Sequence, residues 1–189
     1  MPADAADEAL MVRVANGDMQ ALGILFERFK QPLFNFLYRV LQRRATAEDV
    51  LQDTFIRVFD RRRQYKQNYL FATWLFTIAH HLAIDLLRRE AHCPQCENEI
   101  EALPHSTPDE APDIATERRA LTTAVRGAIA ELPDDLRMII VLREYQGFSF
   151  KEIGAITGIS EEAARVRAYR ARQHLKTRLS PLLMPEDGN

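Results

Sequence analysis

Residues 149–179 have the sequence SFKEIGAITGISEEAARVRAYRARQHLKTRL, which predicts two helices joined by a tight turn. Ser149 is placed to cap the first helix, and Glu152 stands three residues later, where a capping box has its second member. Gly158 predicts the end of that helix. Ser160 predicts the cap of the second helix. The stretch therefore has the pattern of a helix-turn-helix.

The second of these helices has two different faces. Ala164, Ala168 and Ala171 recur at helical spacing and predict a buried stripe that a neighbouring helix can approach closely. Arg165, Tyr169 and Arg172 form a separate stripe, and arginine side chains suit the guanine edges and phosphates of the DNA major groove. We interpret the motif as DNA-binding. The alternative is a solvated basic face on an ordinary helical hairpin.

Composition limits the class of protein. The chain has 189 residues, with 25 Lys and Arg against 27 Asp and Glu, a net charge of −2. That balance argues against a general, sequence-independent nucleic-acid binder. No apolar run approaches the roughly 20 residues that cross a bilayer, and no basic-then-apolar signal begins the chain. These features, with only two cysteines, predict a cytoplasmic protein.

Helical periodicity and composition together predict an all-α fold of two small domains. A helical bundle is expected over residues 7–91, a flexible acidic linker rich in proline over residues 92–117, and the helix-turn-helix unit over residues 118–181. In the bundle, Pro32 is expected to kink or break its helix near residues 29–31. Thr46 is expected to start the next helix, with Asp49 at the capping-box position. The aromatic side chains of this bundle are predicted to be core, and they are Phe26, Phe29, Phe55, Phe59 and Trp74.

Four segments occur in an order that resembles a known family. They are DEALMVRVANGDMQALGILFERF, AEDVLQDTFIRVF, FATWLFTIAHHLAIDLLRR and ELPDDLRMIIVLREYQGFSFKEIGAITGISEEAARVRAYRAR. In this order they are similar to bacterial RNA polymerase sigma factors of the extracytoplasmic-function (ECF) group, of the sigma-70 type. The resemblance implies that residues 7–91 are a sigma-2 domain and residues 118–181 a sigma-4 domain.

The resemblance also implies partners. A sigma factor of this group binds the clamp and flap regions of core RNA polymerase and directs it to the −10 and −35 elements of promoter DNA, often in a stress response. Many members are held inactive by an anti-sigma factor. No small-molecule substrate is expected. Catalysis would belong to the polymerase, and the chain has no phosphate loop and no nucleophile with a plausible base.

Three polar side chains lie on one predicted face of the helix that starts near Thr46. Asp49, Gln52 and Asp53 are three and four residues apart, which places them together. The family's main attachment point to the polymerase clamp resembles this helix. We define these three residues as the docking face. The alternative is a capped helix face exposed only to solvent.

The next predicted helix, with the loop before it, resembles the family's reader of the −10 element. A single strand of DNA is held by basic groups together with aromatic rings that stack on bases. The candidates, defined as the −10 set, are Arg61, Arg62, Arg63, Tyr65, Lys66, Tyr69, His80, His81, Asp85 and Arg88. Relatives commonly have asparagine where His81 stands, so the base preference of this chain remains open, and an exposed spacer role for His81 is the alternative. For Trp74, the alternative to a place in the core is a wedge that melts the DNA.

The −35 element is assigned to the helix-turn-helix by the same resemblance. The reading face comprises Arg165, Val166, Tyr169 and Arg172. Relatives often have a small polar residue where Val166 stands, and valine offers a thymine methyl an apolar contact instead of a hydrogen bond. Phosphate contacts, which fix register without reading sequence, are assigned to Arg143, Arg170 and Lys176.

The family pattern leaves one motif unexplained, HCPQC at residues 92–96. His92, Cys93 and Cys96 are candidate zinc ligands, with His105 as a fourth. A redox-active thiol pair is a second interpretation. The third is an inert linker with no cofactor, and a structural zinc site drawn from one linker segment would be unusual.

A second class of function also fits the motif. A stand-alone helix-turn-helix regulator that dimerises on a palindrome would bind duplex DNA without polymerase. Such a regulator needs neither the docking face nor a separate strand-reading helix. The four ordered segments therefore favour the sigma factor.

Overall fold

The computed structural model describes residues 6–66, 69–91 and 112–183. The helices are α1 (Asp7–Ala15), α2 (Met19–Leu41), α3 (Arg44–Asp60), α4 (Phe71–Ala91), α5 (Pro112–Ala130), α6 (Asp134–Glu144), α7 (Phe150–Thr157) and α8 (Glu161–Leu183), with a 3₁₀ turn at Arg62–Gln64. These ranges contain no strand, and the predicted all-α class is confirmed. Each helix described is too short or too polar to span a bilayer.

Asp18 lies at the junction of α1 and α2. Asp18 caps α2 by accepting hydrogen bonds from the backbone N–H groups of Gln20 at 3.0 Å and Ala21 at 3.1 Å. Its second oxygen pairs with Arg13 of α1 at 2.7 Å. The Ala21 N–H, followed by the Arg13 guanidinium, lowers the pKa of Asp18. One side chain therefore caps one helix and holds the preceding helix against it.

Aromatic rings pack in or against the core of the first unit (α1–α4), as predicted for Phe26, Phe29, Phe55 and Trp74. The prediction is wrong for Phe59, which is half-buried and lies under Arg62. Phe26 of α2 meets Phe55 of α3 edge-on, with 4.9 Å between ring centroids. Phe29 meets Phe71 of α4 at 5.2 Å. Such edge-to-face pairs fix the relative orientation of helices as well as burying apolar area. α2 is thereby held against both α3 and α4.

The predicted break at Pro32 is wrong, whereas the alternative of a kink stays a prediction. α2 continues from Met19 to Leu41 with Pro32 inside it. Proline removes one helical hydrogen bond, but the turn that follows buries Leu33, Phe36 and Leu37 completely. This tertiary packing stabilises the helix across the missing bond, because most helical stability in proteins comes from the buried face.

The start of α3 also differs from the prediction. α3 begins at Arg44, and its N-cap Arg43 makes no side-chain capping bond. Thr46 and Asp49 are therefore inside the helix and form no capping box. The cause is the turn before it, because Gln42 adopts φ 62° and redirects the chain at the end of α2. A non-glycine residue in this region gives no sequence signal of the turn.

The helix α5 starts inside the range that composition assigned to a linker. α5 begins at Pro112, within the range 92–117 that the prolines and acids assigned to a linker. Proline is favoured at the first position of a helix, since its missing N–H would have had no partner there. The segment 92–111 lies outside the described residues.

The predicted capping residues and the predicted glycine at the end of α7 are confirmed in the helix-turn-helix. The Ser149 hydroxyl accepts from the N–H of Glu152 at 3.3 Å, and the Glu152 carboxylate accepts from the N–H of Ser149 at 2.8 Å. Gly158 ends α7 with φ 71°, a conformation that glycine adopts without strain. The Ser160 hydroxyl accepts from the N–H of Ala163 at 3.1 Å and caps α8.

Gly154 of α7 lies against the turn between α7 and α8. A Cβ atom there would lie 2.8 Å from the carbonyl oxygen of Ile159. On α8, Ala164, Ala168 and Ala171 are fully buried, as the small-residue stripe predicted. The lack of a side chain at Gly154 and the small side chains of the three alanines thus determine how closely α8 packs on the rest of the unit.

The first unit (α1–α4) and the second unit (α5–α8) pack against each other. α4 contacts α7, and α2 contacts α6. Phe76 of α4 meets Phe148, which precedes α7, with 5.0 Å between centroids. The guanidinium of Arg39 lies 4.1 Å from the ring centroid of Tyr145. Both phenylalanines are buried, so one continuous core runs through the described parts of both units. The sequence did not predict this contact.

A single buried arginine connects the ends of two helices from different units. Arg137 of α6 donates to the carbonyls of Ile129 at 3.3 Å and Ala130 at 2.6 Å, at the end of α5, and of Leu132 at 2.8 Å, just after it. It also donates to the carbonyl of Val40 in the last turn of α2 at 2.9 Å. A cation suits helix C-terminal ends, where carbonyls are left unpaired.

Candidate nucleic-acid interface

The docking face is exposed on α3. Asp49, Gln52 and Asp53 are all accessible, whereas the opposite side of the helix is buried. The hydroxyl of Thr54 donates to the carbonyl of Val50 at 2.6 Å, so this buried polar group is satisfied without using the exposed side. Two carboxylates and an amide are therefore free to meet a basic partner surface.

An apolar side chain extends the docking face and was missed in the sequence. Ile56 lies three residues after Asp53 and four after Gln52, which places it on the same side of α3. It is 58% exposed. The same spacing argument that found the acids would have found Ile56. An exposed isoleucine beside carboxylates gives a partner apolar area as well as charge.

Tyr65 holds the loop before α4 through a hydrogen bond and a ring contact. The Tyr65 hydroxyl donates to the carbonyl of Tyr69 at 2.6 Å, and its ring lies 5.2 Å from that of Trp74. Burial, followed by the charges of Glu8 and Asp7, raises the pKa of Tyr65 to about 12. Tyr65 therefore stays protonated and supports the loop, while Tyr69 is 55% exposed. The packing of Trp74 agrees with its predicted place in the core.

The basic residues of this loop divide into two kinds. Arg61, Arg63 and Lys66 are exposed. Arg62 instead donates to the carbonyl of Phe59 at 2.7 Å and lies over the Phe59 ring at 4.1 Å. Arg62 is thus bound to the C-terminal end of α3. The exposed Arg61, Arg63 and Lys66 are better placed for DNA phosphates.

On α4, three members of the −10 set share one accessible stripe. His81, Asp85 and Arg88 follow steps of four and three and are all exposed. Together with Tyr69 at the start of the helix, they offer an aromatic ring, hydrogen-bonding groups and a cation. This combination suits single-stranded DNA.

His80 is placed differently from the rest of the set. It is 9% exposed, and its Nδ1 atom has no hydrogen-bond partner among the described residues. Burial, followed by the neighbouring His81 and Arg88, lowers the pKa of His80 to about 4. Phe76, one turn earlier on the same face, contacts the second unit. His80 is therefore neutral at pH 7 and is not accessible to DNA in this arrangement.

The reading face is open to solvent on α8. Tyr169 is 62% exposed and Val166 is 49% exposed, and Arg165 and Arg172 are also exposed. The alanine stripe on the opposite side is fully buried. The structure thus brings all four predicted residues to one accessible surface of the second helix of the helix-turn-helix.

The predicted phosphate contacts are not equivalent. Arg170 and Lys176 are exposed on α8. Arg143 is half-buried: it donates to the carbonyl of Phe148 at 2.9 Å and lies 4.8 Å over the ring of Phe150. The guanidinium of Arg165 lies over the same ring at 5.6 Å. Phe150 therefore orients two arginines at the N-terminal end of α7.

The cysteine motif cannot be placed. His92, Cys93, Cys96 and His105 lie outside the described residues. Among the residues that the structure does describe, no three His, Cys, Asp or Glu side chains converge as metal ligands would.

Two family models match the chain. The Sigma-70 region 2 model matches residues 25–93, and the Sigma-70 region 4 model matches residues 122–175. The first range contains the docking face and the whole −10 set, and the second contains the reading face.

Relatives match over nearly the whole length. The RNA polymerase sigma factor CarQ of Myxococcus xanthus is 37% identical, over 91% of this chain and 97% of that protein. The ECF RNA polymerase sigma-E factor of Salmonella typhimurium strain LT2 is 30% identical, over 94% of this chain and 96% of that protein. A solved structure of CnrH in complex with the cytosolic domain of CnrY is similar with a TM-score of 0.71 at 26% identity, covering 93% of this chain and 98% of that chain.

These matches include both units in one order, whereas a stand-alone helix-turn-helix regulator needs no counterpart of the first unit. The prediction of a promoter-specificity subunit is confirmed, and the regulator alternative is not supported. The chain belongs to the sigma-70 family, within the ECF RNA polymerase sigma factors that direct transcription initiation.

Proposed function

We propose that this sigma factor recognises its promoter in two parts, with the exposed members of the −10 set holding the −10 element and the reading face contacting the −35 element. The observation that carries the proposal is the division of α8, where Arg165, Tyr169 and Arg172 are accessible while the alanines opposite them are fully buried. An exposed, arginine-rich face on a rigidly packed helix is what major-groove reading requires.

Attachment to core polymerase is proposed to use the docking face, extended by Ile56. The carboxylates of Asp49 and Asp53 supply charge, and Ile56 supplies apolar area that loses water on contact. The sigma factor would contribute no catalytic group of its own, since nucleotide addition belongs to the polymerase. It would act in the cytoplasm with that enzyme.

Transcription from promoter variants tests the −35 assignment. Arg165→Ala is expected to lose roughly 1–3 kcal/mol of discrimination at the base pair that Arg165 contacts. Lys176→Ala is the matched comparison, because a phosphate contact should weaken binding to all sequences alike. Unchanged −35 discrimination by Arg165→Ala in run-off transcription would remove Arg165 from the reading face.

A pull-down with core polymerase tests the docking face. The double variant Asp49→Ala, Asp53→Ala is expected to retain its helical content and to bind core polymerase at least tenfold more weakly, an estimate on the order of 1.4 kcal/mol. Glu27→Ala is the control, because its exposed carboxylate lies on α2. Full retention of core binding by the double variant would exclude this face.

A protein antagonist is a further part of the proposal. The similar CnrH was solved with the cytosolic domain of CnrY, and an anti-sigma factor of that kind is proposed for this chain. Such a partner is expected to lower binding to core polymerase in the same pull-down.

A further inference from the structure

The cations of α8 fall into two groups by their ion pairs. Arg165, Arg167, Arg172 and Arg178 each pair with a carboxylate. Within the described residues, Arg170 and Lys176 have no ion pair. The two arginines of the reading face are thus held by acids, whereas the two phosphate candidates on α8 are not.

The pair between Arg172 and Glu144 has a specific geometry. Glu144 is the last residue of α6, and its Oε1 atom accepts from both Nη2 of Arg172 at 2.6 Å and Nε at 3.2 Å. These two donors form the side edge of the guanidinium. The end edge, formed by Nη1 and the second hydrogen of Nη2, is left available, since a guanidinium carries five N–H donors in a fixed plane.

The free edge has the two parallel donors that a bidentate contact with guanine needs. Guanine presents O6 and N7 to the major groove, and an arginine binds them with two parallel hydrogen bonds. An arginine on an exposed helix otherwise has many rotamers, and holding one of them lowers the entropy lost on binding. The carboxylate of Glu144 can hold the side edge while the end edge meets the base.

We propose that Glu144 is a positioning residue that fixes the orientation of Arg172, so that Arg172 selects guanine within the −35 element. This inference rests on the proposed function of the reading face. Glu144 itself contacts no base in this scheme. Its contribution is to discrimination, because an arginine held in one orientation cannot turn to a phosphate when guanine is absent.

Glu131 supplies a matched control. It pairs with Arg178 through the same side edge, with Nε at 2.6 Å and Nη2 at 2.8 Å. Arg178 lies nearer the end of α8, outside the reading face. Glu131→Gln therefore removes the same charge and the same kind of ion pair from α8 without touching a proposed base contact.

The test uses holoenzyme assembled from core polymerase and the full chain. A promoter duplex library with a randomised −35 segment is selected by binding and sequenced, first for the unaltered chain and for Arg172→Ala. The base pair whose preference is lost in Arg172→Ala is the one that Arg172 reads. Failure of the unaltered chain to select any −35 sequence would overturn the proposed function itself, and with it this inference.

Affinities are then measured on two duplexes that differ only at that base pair, guanine against the least favoured base. Glu144→Gln is expected to reduce the affinity ratio roughly two- to fivefold, the range of an exposed ion pair. Glu131→Gln should leave the ratio unchanged. The double variant Glu144→Gln, Arg172→Ala should have the same affinity ratio as Arg172→Ala alone. Thermal unfolding of each variant separates this effect from loss of fold.

Two results would overturn the inference while leaving the −35 assignment intact. One is a ratio unchanged in Glu144→Gln, with both duplexes bound more tightly, which would make Glu144 only a repulsive charge near DNA. The other is an effect of Glu144→Gln that persists in the absence of Arg172. If Arg172→Ala loses no base preference, Arg172 is not a reader and Glu144 has no base contact to position.

Discussion

Replacement of Arg137 by alanine should destabilise the whole protein, because one side chain serves carbonyls from both units. Four carbonyls in a partly buried setting receive its hydrogen bonds, three at or just after the end of α5 and one, from Val40, at the end of α2. The side chain is only 11% exposed. Each carbonyl left without a donor costs at least about 1 kcal/mol, so Arg137→Ala is expected to lower the free energy of unfolding by about 4 kcal/mol.

Urea unfolding followed by two probes measures this loss. Trp74 is the chain's single tryptophan and reports on the first unit, whereas circular dichroism reports on helices of both. In the unaltered chain the two transitions should coincide. In Arg137→Ala both transitions should move to lower urea concentration and still coincide, since the shared core at Phe76 and Phe148 continues to join the units.

Two further variants set the scale. Arg137→Lys keeps the charge, but an ammonium has three donors for four carbonyls, so an intermediate loss is expected. Arg167→Ala removes a more exposed arginine, 3.5 Å from Asp135, and should change stability by less than about 0.5 kcal/mol. A loss below about 1 kcal/mol in Arg137→Ala would refute the reasoning.

Two other predictions concern a buried histidine and a tight turn. Burial lowers the pKa of His80 from 6.5 to about 4, so below pH 6.5 the unfolded chain takes up a proton that the folded chain does not. The free energy of unfolding should therefore fall by about 2 kcal/mol between pH 7.5 and 5.0. The same pH profile in His80→Gln would contradict this. Gly154→Ala should destabilise by roughly 1–3 kcal/mol in thermal unfolding, because its Cβ would meet the Ile159 carbonyl. Gly23→Ala, in open space on α2, should instead stabilise by roughly 0.5–1 kcal/mol, and equal effects at the two glycines would exclude the steric explanation.

Features set by near neighbours in the chain were predictable from sequence. The caps at Asp18, Ser149 and Ser160 each satisfy N–H groups two or three residues away, so the sequence contains both partners. The alanine stripe of α8 was predictable for a similar reason, because helical spacing alone defines it.

Features set by distant contacts were not predictable. Pro32 remains helical because residues far along the chain bury the turn after it. His80 occupies a position in α4 that suits DNA contact, but the second unit packs along that side of the helix. The pairing of Glu144 with Arg172 joins residues 28 apart. In each case the sequence shows the residue without its neighbours, and the neighbours decide its role.

The shared core has a consequence for engineering hybrid sigma factors. Exchange of residues 118–181 for the same unit of a relative would leave Phe76 of α4 facing a surface that was not shaped for it. A mismatched hybrid would expose apolar rings that are now buried, and such surfaces promote self-association. Successful recombination would require the ring-bearing surfaces at Phe76 and Phe148 to be exchanged together, so the natural unit of exchange is larger than either promoter-reading module.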